Sequence, residues 1–167
     1  EKEDPKQFLS HFKVMPGDVV MDLGCGPGFF SEALLEAAGR EGSLIVVDRN
    51  EQMLELFREH CAVAGSAKVI HAEFPPLQLE DSSVDVVWSA NTLHEFADLY
   101  DAAREMLRLL RPGGRIAMHD WDAVPSEGGP PQEKRLKREL AAEFFRRAGF
   151  AEVETGDISE KKYFLKA

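Results

Sequence analysis

Short apolar runs bounded by glycine and proline alternate along the chain with segments whose apolar residues recur at helical spacing. Val19-Val20-Met21-Asp22-Leu23 is the first run and predicts a buried strand. Residues 29–38 follow with Phe30, Leu34, Leu35 and Ala38 on one helical face, and Gly39 stops them. A second strand is predicted over 44–48, a second helix over 51–64, a brief third strand over 68–71 and a fourth over 84–89. Residues 100–110 carry Ala103, Met106, Leu107 and Leu110 along one helical face, and Pro112-Gly113-Gly114 is expected to end that helix and turn into a strand over 115–119. A helix over 133–148 closes at Gly149, and residues 150–155 and 161–165 read as two strands joined by Gly156-Asp157. Strands that are apolar almost throughout, alternating with helices, argue for a parallel sheet covered on both faces. The expected fold is α/β: a doubly wound, three-layer α/β/α sandwich with a mostly parallel seven-stranded sheet. The close strand pair at the end supplies one antiparallel strand.

At 167 residues the chain is the size of one domain, expected to span 1–167. Thirty acids against twenty bases leave a net charge of −10, which disfavours a nucleic-acid partner. Cys25 and Cys61 form neither a disulfide framework nor a C-x-x-C pair, so the chain reads as reduced and cytoplasmic. No apolar run approaches the ~20 residues of a membrane span, and Glu1-Lys2-Glu3-Asp4 is unlike a secretory signal.

The first strand runs into Gly24-Cys25-Gly26-Pro27-Gly28. A glycine-rich turn between strand and helix lets a ligand approach the backbone and the helix N–H groups. The spacing is not that of a dinucleotide fingerprint, because the third glycine comes two residues after the second, and no Gly-Lys-Ser/Thr follows for a phosphate loop. Asp22, directly ahead of the glycines, would repel a pyrophosphate and suits a ligand with an ammonium group. Asp48 ends the second strand, where an acid commonly accepts both hydroxyls of a ribose.

Val20-Met21-Asp22-Leu23-Gly24-Cys25-Gly26-Pro27-Gly28 resembles the first motif of the class I S-adenosylmethionine-dependent methyltransferases. Ile45-Val46-Val47-Asp48 resembles their second motif. Ala72-Glu73-Phe74 and the run from Glu80 through Val87 resemble the third and fourth. Leu107 through Arg115 resembles the helix–turn–strand that follows, and Arg147-Ala148-Gly149-Phe150 a late motif. The likeness covers most of residues 13–155 and is nearest the ubiquinone/menaquinone-biosynthesis-like branch. It implies S-adenosyl-L-methionine as cofactor, with S-adenosyl-L-homocysteine as product. It further implies that Gly24, Cys25, Gly26 and Gly28 line the methionine and ribose portions, with Asp22 near the amino group. Asp48 would take the ribose, followed by Arg49 and by Met53 as an apolar cover for adenine. Glu73, where the family often has Asp, would take the adenine amino group beside Phe74. Ser89 and Asn91 would face the methionine end.

Methyl transfer from a sulfonium asks the protein to align the reactants, exclude water and sometimes remove a proton. The acceptor end is expected at the C-terminal ends of the fourth and fifth strands. There His94 and Asp120 are the candidate catalytic residues, His94 as base and Asp120 lining the acceptor pocket, with Trp121 as a wall; alternation puts His119 and Trp121 on one face and Asp120 and Asp122 on the other. No metal is expected, since the carboxylates are not clustered. The stiff Gly128-Gly129-Pro130-Pro131 stretch suits a cover or wall. Lys134, Arg135, Lys137 and Arg138 read mainly as a solvated helix face. The expected acceptor is a small molecule, its site open, covered by the 128–131 segment or completed by a second subunit as a homodimer. A protein acceptor and a non-catalytic S-adenosylmethionine/S-adenosylhomocysteine-binding module are the alternatives.

Overall fold

A computed structural model describes residues 4–9 and 12–167; the opening Glu1-Lys2-Glu3, read above as unlike a secretory signal, lies outside them. In chain order the elements are α1 (Pro5–Leu9), β1 (Val19–Leu23), α2 (Ser31–Ala38), β2 (Ser43–Asp48), α3 (Glu51–His60), β3 (Ala67–His71), β4 (Val84–Ala90), α4 (Leu99–Leu109), β5 (Leu110–Trp121), α5 (Arg138–Ala148), β6 (Glu154–Asp157) and β7 (Lys162–Lys166). The seven strands form one sheet in the order β3-β2-β1-β4-β5-β7-β6. β7 runs antiparallel to both neighbours and the remaining pairs are parallel. The doubly wound α/β expectation with one antiparallel strand is met.

Each face of the sheet has its own core, as two-sided burial of parallel strands requires. Met21, Val87, Ile116 and Met118 pack under α4 and α5 with Met106 and Phe145. Val20, Val46, Val86 and Trp88 pack under α1, α2 and α3 with Phe8, Leu34 and Phe57. Chain order reverses between β1 and β4, so the carboxyl ends of these strands open a crevice there.

Several boundaries differ from the sequence reading for identifiable reasons. Pro112-Gly113-Gly114 does not separate helix from strand; it lies inside β5 as an irregularity, the register stepping from Val84↔Leu110 to Val86↔Arg115. Gly113 takes φ +80°, and a Cβ on Gly114 would stand 2.9 Å from the Arg111 carbonyl oxygen. α3 stops at His60 because Cys61 turns extended. α5 begins only at Arg138, since Arg135 is spent on holding the preceding loop. Gly156 and Asp157 belong to β6 and are not the turn between the last strands, and Phe150 packs against Phe145 in the core, outside any strand. α1 was not foreseen: five residues carry too little periodicity to read, yet they seat Phe8 on the sheet.

Candidate active site

β1 ends in a turn that only glycine can make at two points. Gly24 has φ +74°, and a side chain there would collide with the Thr92 methyl group. Gly26 has φ +54° and faces open space, with no described atom within 4 Å of a Cβ placed on it. Gly24 donates its N–H to the Val47 carbonyl at 2.8 Å, which binds the turn to β2. Asp48, ending β2, closes the other side: one carboxylate oxygen accepts the Gly26 N–H at 2.9 Å and the other the Asn50 N–H at 2.8 Å. Each oxygen keeps a lone pair for a ligand.

Two cavities meet at this turn. The larger, about 600 Å³, runs from Gly24 and Gly26 past Asp48 and Met53 to Phe74 and Phe96. The smaller, about 390 Å³, lies over Asp22, Cys25, Phe29 and Phe30. Gly24, Gly26, Ala90 and Asn91 line both. The larger cavity carries the carboxylates of Asp48, Glu73, Glu95, Asp98 and Asp101 against one arginine, Arg49, which favours a cationic occupant. Arg49 reaches both walls, pairing with Glu95 at 3.1 Å and Glu73 at 3.7 Å. Phe74 and Phe96 face each other with ring centroids 5.7 Å apart.

Of the expected cofactor residues, Gly24, Gly26, Asp48, Arg49, Met53, Glu73, Phe74 and Asn91 line the larger cavity, and Asp22 and Cys25 the smaller. Asp22 is buried and accepts the Ser31 hydroxyl at 2.7 Å. Burial raises its pKa to about 7, with the Ser31 hydrogen bond opposing and the Asp48 charge adding to the rise. Burial likewise pushes the Cys25 thiol up, so it stays a thiol. Glu73 lines the rim with its side chain 77% exposed, paired to Arg49.

Two expected residues are elsewhere. Gly28 lines neither cavity; at φ +93° it lets α3 approach, for a Cβ there would stand 2.6 Å from Phe57 and 2.9 Å from the Cys61 sulfur. Ser89 is buried, its hydroxyl donating to the Leu23 carbonyl at 2.9 Å and meeting the Thr92 hydroxyl. It braces β1 against β4 and lines neither cavity. Thr92, Glu95, Phe96, Asp98 and Asp101 line the larger cavity and were not foreseen. Asp98 had a readable signal as the α4 N-cap, accepting from Tyr100 N–H at 2.8 Å and Asp101 N–H at 3.0 Å.

His94 and Asp120 come together. The Asp120 carboxylate lies 3.0 Å from His94 Nδ1 and also accepts the His94 backbone N–H at 3.3 Å. This hydrogen bond raises the His94 pKa above its ordinary value, against an opposing effect of burial. The pair sits at the carboxyl ends of β4 and β5, beside the cavities and outside both linings. Asp120 leaves one face of β5 toward His94, and His119 the other, against Phe8, Phe30 and Trp88. Asp122 is committed to Arg138 at 2.7 Å. Arg135 is buried against Trp121 and donates to the Val124, Gly128 and Pro130 carbonyls and the Ser126 hydroxyl. The basic run is therefore partly internal, and the 128–131 segment is fastened and not a free cover. Among the described residues no group of three His, Cys, Asp or Glu is arranged to hold a metal, and no helix is long and apolar enough to cross a membrane.

Comparison with known proteins agrees with this geometry. Residues 21–118 match a family model described as a methyltransferase domain. A demethylmenaquinone methyltransferase of Staphylococcus aureus is 33% identical over 111 residues, 66% of this chain and 46% of that protein. An uncharacterized 37.1 kDa protein in a Streptomyces fradiae transposon is 36% identical over 119 residues, 70% of this chain and 34% of that protein. The chain thus spans less than half the length of these two relatives. The crystal structure of an S-adenosylmethionine-dependent methyltransferase from Aquifex aeolicus superposes with a TM-score of 0.86 at 25% identity, covering 98% of this chain and 88% of that one.

Proposed function

This chain belongs to the methyltransferase-domain family, and we propose on that basis that it is an S-adenosylmethionine-dependent methyltransferase acting on a small molecule. The observation that carries the reading is Asp48, whose two oxygens are fixed by the Gly26 and Asn50 N–H groups at the mouth of the larger cavity. Held so, the carboxylate presents its remaining lone pairs to the two hydroxyls of a ribose.

The other parts of the cofactor find matching chemistry. Open space at Gly26 admits a ligand against the backbone, and Met53 with Phe74 supplies apolar cover for a base. The buried Asp22 carboxylate suits an ammonium group, and the acidic rim suits a net positive ligand. Arg49 bridges Glu73 and Glu95 across the same mouth and steadies the two walls.

When bound, S-adenosylmethionine supplies an activated methyl group: a lone pair on the acceptor forms the new bond to the methyl carbon while the carbon–sulfur electron pair leaves with sulfur as a neutral thioether. The protein's share is alignment and exclusion of water. Asn91, lining both cavities, stands where the two ligands would meet. Asp120 fixes His94 by ring and backbone and so anchors the Leu93–Glu95 turn that walls the larger cavity. With Nδ1 engaged, His94 Nε2 is the ring atom left to take a proton from a protic acceptor. The Staphylococcus relative, named for demethylmenaquinone, favours a small-molecule acceptor over a protein.

The test is methyl transfer from tritium-labelled S-adenosylmethionine to a panel of small hydroxyl, amine, thiol and quinol acceptors, with a basic peptide as control. Label in a small-molecule product supports the reading. Label in the peptide alone moves the acceptor to protein.

A further inference from the structure

Glu95 makes two contacts that the reading above leaves unconnected. It is the last residue of the Leu93–Glu95 turn, and the backbone holds that turn in place: Glu95 donates its N–H to the Thr92 carbonyl at 2.9 Å, and His94 donates its own to Asp120 at 3.3 Å. From this footing one Glu95 oxygen, Oε2, accepts from the Arg49 guanidinium at 3.1 Å. The other, Oε1, stands 4.0 Å from His94 Nε2. A single carboxylate thus lies between the arginine of the larger cavity and the ring nitrogen left to act as base.

The two contacts differ in kind. Arg49 is always charged, so its pairing with Glu95 does not wait on a proton. The contact with His94 does. Asp120 engages Nδ1, which leaves Nε2 with a lone pair in the neutral ring, and a lone pair offers a carboxylate nothing to accept. Once Nε2 carries a proton, the same carboxylate can accept a charged hydrogen bond from it. Changing partner costs little, because Glu95 and Arg49 are 45% and 53% exposed and exposed ion pairs are weak. Arg49 keeps Glu73 at 3.7 Å when Glu95 turns away. Three charges act on His94: Asp120 from β5, Glu95 from its own turn and Lys134 from the segment ahead of α5. The Asp120 hydrogen bond is the largest influence on its pKa; Glu95 adds to the rise, and burial and Lys134 oppose it.

We propose that Glu95 is a positioning residue for the His94 base: Arg49 holds it while Nε2 is bare, and it turns to Nε2 when that atom takes the acceptor's proton. The step moves one proton from the acceptor's hydroxyl, amine or thiol to Nε2. It leaves the acceptor's electron pair for the methyl carbon and an imidazolium between two carboxylates, Asp120 and Glu95. Arg49 acts as a brake on the base, since it competes with the imidazolium for Glu95. Resting on the methyltransferase reading, the proposal adds the residue that tunes its base and ties that base to the cofactor mouth.

The experiment follows the His94 ring Cε1–H by NMR through a pH titration of the ligand-free wild-type protein, Glu95→Gln, Arg49→Gln and the double variant Arg49→Gln/Glu95→Gln. Glu95→Gln should lower the His94 midpoint by about 0.5 pH unit, the size expected of unit charges at this separation in a wet site. Arg49→Gln should raise the midpoint by freeing the carboxylate. In the double variant that rise should vanish, leaving the midpoint of Glu95→Gln alone. An unchanged midpoint in Glu95→Gln overturns the proposal. So does a rise on Arg49→Gln that persists in the Glu95→Gln background, because Arg49 would then act on His94 as a distant charge and not through Glu95. Should Glu95→Gln not fold, Glu95→Ala carries the same comparison. The titrations use no cofactor, so a wild-type protein that shows these shifts but binds no S-adenosylhomocysteine would overturn the methyltransferase reading and leave the Arg49–Glu95–His94 linkage standing.

Discussion

Gly26 donates its backbone N–H to the Asp48 carboxylate at 2.9 Å, so the turn after β1 and the acid that ends β2 form one unit. Asp48→Ala removes both that brace and the proposed ribose acceptor. A lost charged hydrogen bond is worth about 1.5–3 kcal/mol, which converts to a roughly 10- to 150-fold weaker S-adenosylhomocysteine affinity by calorimetry. Unchanged affinity would remove Asp48 from the site.

Asp22 couples ligand binding to pH. Its pKa of about 7 means that the free protein holds a proton there at mildly acidic pH. A ligand ammonium beside it favours the ionised form, so binding releases that proton. Affinity should rise with pH up to about 7 and level off above. Because the Ser31 hydroxyl opposes the rise, Ser31→Ala should move the inflection to higher pH. Calorimetry in buffers of different ionisation heat reads the released proton directly; a flat profile in both proteins would separate Asp22 from the ammonium.

The His94–Asp120 pair makes a signed prediction for stability. The folded-state pKa of His94 lies above its unfolded value, so the stabilisation is complete below about 6.5 and is lost as pH rises through the folded pKa. Urea unfolding of wild type and Asp120→Asn should therefore show a larger stability difference at pH 6 than at pH 9. An equal difference at both would mean the ring bond carries no charge.

Arg135 is expected to be architectural. Arg135→Ala frees the Val124, Gly128 and Pro130 carbonyls and should cost more than about 2 kcal/mol in urea unfolding. Arg135→Lys should not restore it, because one ammonium cannot reproduce the guanidinium fork. Restoration by Lys would show that charge alone suffices.

Much of this was legible in the residues because apolar strands bounded by glycine leave little choice. β1, β2 and β4 were placed to within a residue, and Asp48, Gly24 and Gly26 stand where spacing put them. What escaped depends on partners distant in the chain. Gly28 looks like a third ligand-facing glycine until Phe57 is seen against it. Ser89 points toward the cavity in sequence order, yet its hydroxyl is claimed by Leu23. The helix expected from 133 loses its first turn to Arg135, whose guanidinium serves the loop before it. Phe8 lies far from His119 in sequence, and no local pattern announces that they stack.

The central claim, a cofactor site built on Asp48 and the glycine turn, is tested most directly by titrating S-adenosylhomocysteine and NAD into the folded wild-type protein by calorimetry. The account predicts one S-adenosylhomocysteine per chain, bound more tightly than NAD. No S-adenosylhomocysteine binding, or tighter binding of the dinucleotide, would contradict it.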